Sequence, residues 1–563
     1  MIDLIPNGWQ LTFGFVQYRL GVLLFSISLV FAPIVSSQGQ QTGQLTVTIL
    51  DASTGQPTPV RVRLTRTNRP VTKLPPEAVA VMYGLWDHED GYGFQPDSSF
   101  YVAGRFHLSL SPGTYQLSLS KGNEYLKQSH TLVVAAGKAV QKTYRLTRWT
   151  NMAAKGWYST DGHIHIRRSP RENPLLMTWL QAEDVHVGAL LRMGDFWETY
   201  YPQYAYGEKG VYQQDDYLLT TGQEDPRTPE LGHAFGIGAG NRVRRRDRYY
   251  YFDEVFDEIH RLGGITGYAH QAETFHGYRG LILDGLRGKV DALELLQYCV
   301  DEQPLHTEHY YHLLDLGIPL TATAGSDFPW CGQDHDHGPP EQSSRIGNAR
   351  FYVYLGKPAS PRPISLSTWK TAIEQGHTFV SSGPIVDLQV TNEKAGSAIP
   401  GDRLDIKQGS NLTITVHAYG HAGQVPLDTL ELISHGQVIR RVVATEAGQS
   451  TDHLSLTLKI DSVSQGQWIA ARCSAKPRLG LAGPGLAAHT TPVYVTVEGG
   501  GFHNPKTASR YLDLSEQYLQ EIEQEISKPS AAVEPQAWRY ADGLKTRIAE
   551  TRRIIEDLRK KLK

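Results

Sequence analysis

Apolar and polar positions alternate along this chain with two different periods. From about residue 44 the pattern is short runs of period two: LTVTIL at 45–50, VRVRLT at 60–65, YQLSLS at 115–120 and TLVV at 131–134. Turn signals such as Ser53-Thr54-Gly55 and Ser111-Pro112-Gly113 separate them. This predicts a β-sandwich over residues 44–148. Across residues 149–383 the strands are more continuously apolar: GALLRM at 188–193, GITGYAH at 264–270, DALELLQY at 291–298 and IPLTATAGSD at 318–327. Helical stretches near 253–262 and 307–316 lie between them, and that alternation predicts an α/β barrel or parallel sheet. After Gly383-Pro384 the two-residue period returns in VDLQV at 386–390, LTITVHAY at 412–419 and TPVYVTV at 491–497, a second β-sandwich over residues 384–500. The remainder, 505–563, is helical. Leu512, Leu519, Ile522 and Ile526 form one stripe, and Leu544, Ile548, Ile555, Leu558 and Leu562 form another. Pro529 and Pro535 break between the stripes, so a helical hairpin is expected.

The N-terminus adds a destination. Arg19 precedes an apolar run at 20–35, and Val35-Ser36-Ser37 offers small residues for cleavage, so residues 1–37 read as a signal peptide. A single-pass N-terminal anchor is the competing reading, although the run is shorter than the roughly 20 residues a span needs. Either way the expectation is an exported chain, periplasmic or extracellular, with no stable membrane insertion after cleavage. Composition then narrows the chemistry. Lys plus Arg is 55 against Asp plus Glu 58, which removes the basic footprint of a nucleic-acid binder. Three widely spaced cysteines, Cys299, Cys331 and Cys473, give neither a disulfide framework nor a thiolate zinc site. Twelve of the 22 histidines fall between His163 and His337, so any metal chemistry rests on imidazole and carboxylate ligands.

The candidate ligands sit at predicted strand ends. In Asp161-Gly162-His163-Ile164-His165, period two puts both imidazoles on one face, about 6.5–7 Å apart along the backbone. An H-x-H alone is a common surface pattern. Four further residues change its weight: Glu224 in Thr221-Gly222-Gln223-Glu224, His233 in Gly232-His233-Ala234, His270 closing its strand, and Asp327 in Ala324-Gly325-Ser326-Asp327. Side chains at the carboxyl ends of barrel strands point into one mouth, where these six could converge.

That order of motifs resembles the polymerase and histidinol phosphatase (PHP) superfamily of metallohydrolases, and AIEQGHTFVSSGP at 372–384 is similar to its CehA/McbA branch. Residues 44–148, with an Asp-x-x-Thr-Gly turn and Pro-Gly-Thr-Tyr leading into a strand, resemble transthyretin-like accessory domains of secreted hydrolases. The implied fold class is multidomain α/β plus all-β: a distorted (β/α)7-type PHP barrel, flanked by that sandwich and an Ig-like one, with a C-terminal helical hairpin. The resemblance implies two divalent metal ions, Zn, Mn or Fe. His163, His165, Glu224 and Asp327 would hold one and Glu224, His233 and His270 the other, with Glu224 bridging. The usual Thr-Asp-His stands here as Met193-Gly194-Asp195-Phe196, and S-D-x-H as Ser326-Asp327-Phe328-Pro329. Both replaced histidines would serve a third metal, so two are expected. Asp195 or Glu183 stay open as contributors, as do His335 and His337, which otherwise lie on a solvated loop.

Paired divalent ions lower the pKa of a shared water and clamp the charge that develops on a scissile group. The expected activity is therefore hydrolysis of an ester-type bond, phosphoester or carboxyl/carbamate ester, by a hydroxide bridging the two ions. The substrate is a small molecule or a polymer. Glu224 and Asp327 are the expected catalytic carboxylates, Asp327 orienting the nucleophile or accepting its proton. The alternative is a non-catalytic, degenerate barrel that recognises a cell-surface polymer.

Eight aromatics in the 22 residues of 196–217 form either a stacking wall at the mouth or ordinary packing. Trp197, Arg242 and Arg244 are the candidate substrate contacts, since guanidinium forks fit phosphate or carboxylate; solvated loop charge is the other use of the arginines. The helical tail packs on the body or pairs two chains into a homo-oligomer. Intact-mass measurement of the exported chain is expected to place its start near Gln38; a retained 1–37 segment would favour the anchor.

Overall fold

The computed structural model describes residues 41–80, 93–95, 97–270, 277–297, 305–329, 345–357, 363–476, 486–529 and 537–562. Residues 1–37, expected from the sequence to be a signal peptide, and His335 and His337 lie outside them. The chain is a mixed α/β protein built mostly from strands, with a strongly curled sheet, further sheets and helices at its C-terminal end.

The first strands are β1 (Gly43–Asp51), β2 (Val60–Arg66), β3 (Arg69–Pro70), β4 (Phe100–Val102), β5 (Arg105–Leu110), β6 (Gly113–Ser120), β7 (Gln128–Val134) and β8 (Ala139–Leu146). They make two sheets, β5-β1-β8 and β3-β2-β6-β7, with β4 beside β2. Alternation in β1 buries Leu45, Val47 and Ile49, which meet Val62, Leu64, Leu117 and Leu119 of the facing sheet. Buried ion pairs fasten this layer pair to the curled sheet region. Arg61 pairs with Glu183 at 2.9 Å, and Arg148 pairs with Asp184 at 2.7 Å.

The curled sheet comprises β9 (Trp157–Ile164), β10 (Val187–Gly194), β11 (Thr199–Tyr200), β12 (Tyr212–Gln214), β13 (Tyr217–Thr228), β14 (Gly232–Ile237), β15 (Ile265–Tyr268), β16 (Ala292–Gln297), β17 (Thr321–Gly325), β18 (Arg350–Tyr354) and β19 (Thr378–Ser381). Its main order is β17-β16-β15-β14-β13-β10-β9-β18-β19. The sheet is mixed rather than parallel throughout: β13, β14 and β15 run antiparallel, as do β9, β18 and β19. Three residues link β13 to β14, a length that only a hairpin can span, because a parallel return needs a long crossover.

Helices α1 (Asn173–Ala182), α2 (Phe252–Arg261), α3 (Gly277–Gly285), α4 (Glu308–Asp315) and α5 (Leu366–Glu374) pack against this sheet. Helix α2 shows why. Phe252, Val255, Phe256 and Ile259 are buried at helical spacing, Asp253 and Glu254 occupy its first turn, and His260 and Arg261 its last, in favour of the helix dipole.

The sheet curls until its two flanks meet at one end. The Asp327 amide donates to the His163 carbonyl at 2.8 Å, and the His165 amide donates to the Phe328 carbonyl at 2.6 Å. Glycine makes that approach feasible, since a Cβ on Gly325 would lie 2.1 Å from that of His163.

Residues 385–497 add two layers. One is a four-stranded sheet of Gly396–Ala398, Ile385–Asn392, Ser410–Tyr419 and His453–Val463. The other is hydrogen-bonded to the curled sheet, because β19 pairs antiparallel with Leu486–Thr490. Helices α6 (Ala508–Ser527) and α7 (Ala541–Lys561) run antiparallel, with Arg552 on Glu516 and Glu523 and Arg559 on Asp513. Their stripes, Leu512, Leu519, Ile522, Leu544, Ile548 and Ile555, are buried in the same core as α3 and α4. No helix among the described residues is long and apolar enough to cross a membrane. Because Leu519 is fully buried, Leu519→Ala is expected to cost about 2–5 kcal/mol, read as an earlier urea transition, whereas the exposed Lys560→Ala is expected to leave the midpoint in place.

Candidate metal centre

The six candidate ligands converge, all of them buried: His163 and His165 at the carboxyl end of β9, Glu224 within β13, His233 at the start of β14, and His270 and Asp327 just past β15 and β17. Period two in β9 does part of this work, directing His163 and His165 to one side with their Nε2 atoms 3.0 Å apart. The β13–β14 hairpin does another part: it carries His233 back beside Glu224, where Nδ1 lies 2.8 Å from Oε1. His270, just past β15, brings Nε2 to 3.2 Å from the same Oε1 and 3.0 Å from His233 Nδ1. Asp327, just past β17, puts Oδ1 3.2 Å from His165 Nε2 and 3.5 Å from His163 Nε2. The other oxygen of Glu224 is 3.2 Å from His165 Nε2 and 3.8 Å from His163 Nε2.

These separations can be tested against a cation. Ligand atoms about 2.1 Å from a tetrahedral ion stand about 3.4 Å from one another. The distances among His163, His165, Glu224 and Asp327, from 3.0 to 3.8 Å, bracket that value. The triangle of Glu224, His233 and His270 is tighter, at 2.8 to 3.2 Å. Two buried groups, His163 with His165 and Glu224, and Glu224 with His233 and His270, could thus each hold a metal ion, and Glu224 belongs to both.

The surroundings orient the ligands. Glu294 on β16 accepts from His163 Nδ1 at 2.9 Å, and its other oxygen accepts the His270 amide at 3.3 Å. The Leu191 carbonyl accepts from His165 Nδ1 at 3.0 Å. Each ring thereby turns Nε2 toward the cluster, the arrangement that fixes the tautomer of a ligating histidine. Asp161 accepts from the amides of His163 at 3.1 Å, Ser326 at 3.0 Å and Gly347 at 2.7 Å, pinning the turn that carries Asp327 to the strand that carries the histidines. Burial pushes its pKa up to about 6 even so. His270 and Asp327 occupy the left-handed region at φ +27° and +50°, uncommon for non-glycine residues.

Charges within the cluster are strongly biased. Burial opposes ionisation of Glu224, yet Arg227 and His233 hold its carboxyl well below the usual range. Burial likewise disfavours the protonated form of His163, but Glu294 and Asp327 carry its pKa well above the ordinary value. Burial and the neighbouring Arg227 guanidinium push His233 down to about 3.

The remaining candidates lie elsewhere. Arg242 is exposed and Trp197 is half exposed, edge-on to Phe196 with ring centroids 4.9 Å apart. Arg244 is engaged by Asp225 at 2.6 Å and by the carbonyls of Asp195 and Phe196. Glu183 is bound to Arg61 and Tyr101, away from the cluster. Asp195 accepts the amides of Trp197 at 2.7 Å and Glu198 at 2.9 Å, shaping its own turn. Within the aromatic segment Tyr201 stacks on His165, with centroids 5.4 Å apart, while Tyr217 stacks on His186.

Two residues at the centre are absent from the sequence-based set. Glu294 is the one ionisable side chain in the apolar run ALELLQ, and a carboxylate buried there requires a partner. Arg227 directs Nε to 3.3 Å from Glu224 Oε2 and 3.2 Å from His233 Nδ1.

No protein-family model matches this chain, and no curated protein matches it. Among solved structures, an engineered protein from the Northeast Structural Genomics Consortium is similar at 14% identity with a TM-score of 0.13. The match covers 40% of this chain and 52% of that one, so it spans about half the length of that protein.

Glu294→Gln preserves shape but removes the charge behind His163. It is expected to weaken metal binding about 10- to 100-fold, measured by competition with a chromogenic chelator. An unchanged affinity would separate Glu294 from the centre.

Proposed function

We propose that this chain is a divalent-metal-dependent hydrolase of ester-type bonds, with the curled sheet serving as a PHP-like barrel and the six-residue cluster as its reaction centre. The observation that carries this reading is the sharing of one buried carboxylate, Glu224, between two histidine pairs at separations that suit ligands of a common cation. Imidazole and carboxylate donors without thiolate favour Zn, Mn or Fe. The donor set fits two ions, one held by His163, His165, Glu224 and Asp327, the other by Glu224, His233 and His270. When bound, such ions supply Lewis acidity and bring the pKa of water toward neutrality.

The chain's own residues do the rest. Glu294 and the Leu191 carbonyl hold the His163 and His165 rings in the ligating orientation. Asp327, anchored through its amide to β9, keeps a carboxylate at the cluster's edge, where it orients the nucleophile or accepts its proton. Tyr201, 2% exposed and stacked on His165, excludes water from one side of that imidazole. The bond cleaved belongs to a phosphoester or to a carboxyl or carbamate ester, and the exported location expected from residues 1–37 places that substrate outside the cytoplasm.

Elemental analysis of purified protein prepared without chelators is expected to give about two equivalents of metal; less than one overturns the reading. A screen of p-nitrophenyl phosphates, phosphodiesters and acyl esters is expected to find turnover that His163→Ala and Glu224→Ala each reduce by more than about 100-fold, beyond the loss typical of residues that only orient ligands. Activity surviving both substitutions would move the chemistry elsewhere in the chain.

A further inference from the structure

Arg168 carries a charge that the fold buries and leaves without a counter-ion. It follows β9 and is 2% exposed. Its Nη2 donates to the Tyr204 hydroxyl at 3.2 Å and to the Gly210 carbonyl, and its guanidinium carbon lies 4.8 Å from the centre of the Tyr204 ring. Its buried Nε and Nη1 have no hydrogen-bond partner, and among the described residues no carboxylate pairs with it. Glu172, the acidic side chain nearest in sequence, instead accepts the Ser169 amide at 2.6 Å. Arginine is almost never this buried unless paired, because taking an unmatched charge out of water is so costly.

The surroundings add donors. The Asn173 side chain reaches the same Tyr204 hydroxyl, also at 3.2 Å, so the guanidinium and the first residue of α1 meet at one oxygen. Asn173 is itself buried, and the other atom of its amide has no partner. Side-chain amide oxygen and nitrogen are interchangeable in position. With its oxygen toward Tyr204, Asn173 accepts the hydroxyl proton, and its NH2 joins Nε and Nη1 of Arg168 as a donor. Helix α1 adds the positive end of its dipole, for it has no side-chain cap and no acidic residue in its first turn. One uncompensated positive charge matches one monovalent anion. Burial of Arg168 and the Gly210 carbonyl against it leave a bulky or doubly charged oxyanion poorly served. Tyr204 is 38% exposed, so a single ring separates the guanidinium from solvent.

We propose that Arg168, Asn173 and the amino end of α1 form a halide site, with chloride as the ion held and Tyr204 as its cover. The ion neutralises Arg168 and fastens the segment around Tyr204 to the chain leaving β9. It acts there beside two backbone bonds, from the Arg168 amide to the Pro202 carbonyl at 3.0 Å and from the Tyr204 amide to the Arg168 carbonyl at 3.2 Å. Tyr201 of the same segment stacks on His165, so the anion steadies one imidazole of the cluster without touching it. The site takes no part in hydrolysis and stands independently of that reading.

The test is chloride binding to the full-length chain, read from the line width of the chloride NMR signal in gluconate buffer of constant ionic strength. The parent is expected to broaden the signal saturably, with bromide competing. Arg168→Gln, which keeps a planar amide and loses the charge, is expected to weaken chloride at least about 10-fold. Lys142→Gln, at an exposed lysine, controls for general surface charge and is expected to leave the affinity in place. Circular dichroism checks each fold; should Arg168→Gln not fold, Asn173→Ala decides, a loss of at least about threefold being required. A parent without saturable broadening overturns the site and leaves Nε and Nη1 of Arg168 to water. A smaller loss than these in the deciding variant overturns it as well, since the ion would then bind elsewhere on the surface.

Discussion

The backbone bonds from the amides of Asp327 and His165 to the carbonyls of His163 and Phe328 set the geometry of the whole cluster. They join the flanks of a sheet that would otherwise stay open, and they do so at the level where the ligands project. His163 and His165 come from β9 and Asp327 from beyond β17, so without this junction one half of the ligand set would have no counterpart. Asp161 reinforces it by accepting amides from three separate segments, which a residue confined to local contacts could not do. A buried carboxylate so fully surrounded by donors is costly to leave unmatched, and that cost fixes the register of the junction.

Conformation at the site is bought with local strain. His270 and Asp327 both sit at positive φ, each at a cost of about 1–3 kcal/mol. Each is held there by a hydrogen bond that its backbone amide donates, His270 to the Glu294 carboxylate and Asp327 to the His163 carbonyl. The same Glu294 carboxylate also holds the His163 ring, so one side chain steadies a ligand from each of the two groups. Rigidity of this kind suits an electrostatic site, where groups positioned in advance spend nothing on rearrangement during reaction.

How far the sequence reveals this depends on the range of each signal. The two-residue period of β9 is local, and it puts His163 and His165 side by side without any knowledge of the fold. Strand ends mark His270 and Asp327 almost as directly, whereas Glu224, expected after a strand, lies within β13. The β13–β14 hairpin is less legible, because Pro229-Glu230-Leu231 carries no strong turn signature, and the sheet therefore reads as parallel. Arg244 looks available on composition, yet its partner Asp225 stands 19 residues away and only folding reveals the pair. Glu183 is similar, since Arg61 and Tyr101 come from the first β layers. Glu294 is visible in principle as a carboxylate stranded among leucines, but which histidine it serves depends on the neighbouring strands of the curl.

The pairing of β19 with Leu486–Thr490 makes the curled sheet and one layer of residues 385–497 a single hydrogen-bonded surface. Cutting the chain after residue 383 would strip β19 of a neighbour and leave a row of bare amides and carbonyls on a strand that is otherwise buried, the template on which other chains stack. The region bearing the cluster is therefore not a portable cassette. Fusions, truncations or recombination events that keep the ligands but discard the C-terminal layers would inherit a sticky edge along with the chemistry.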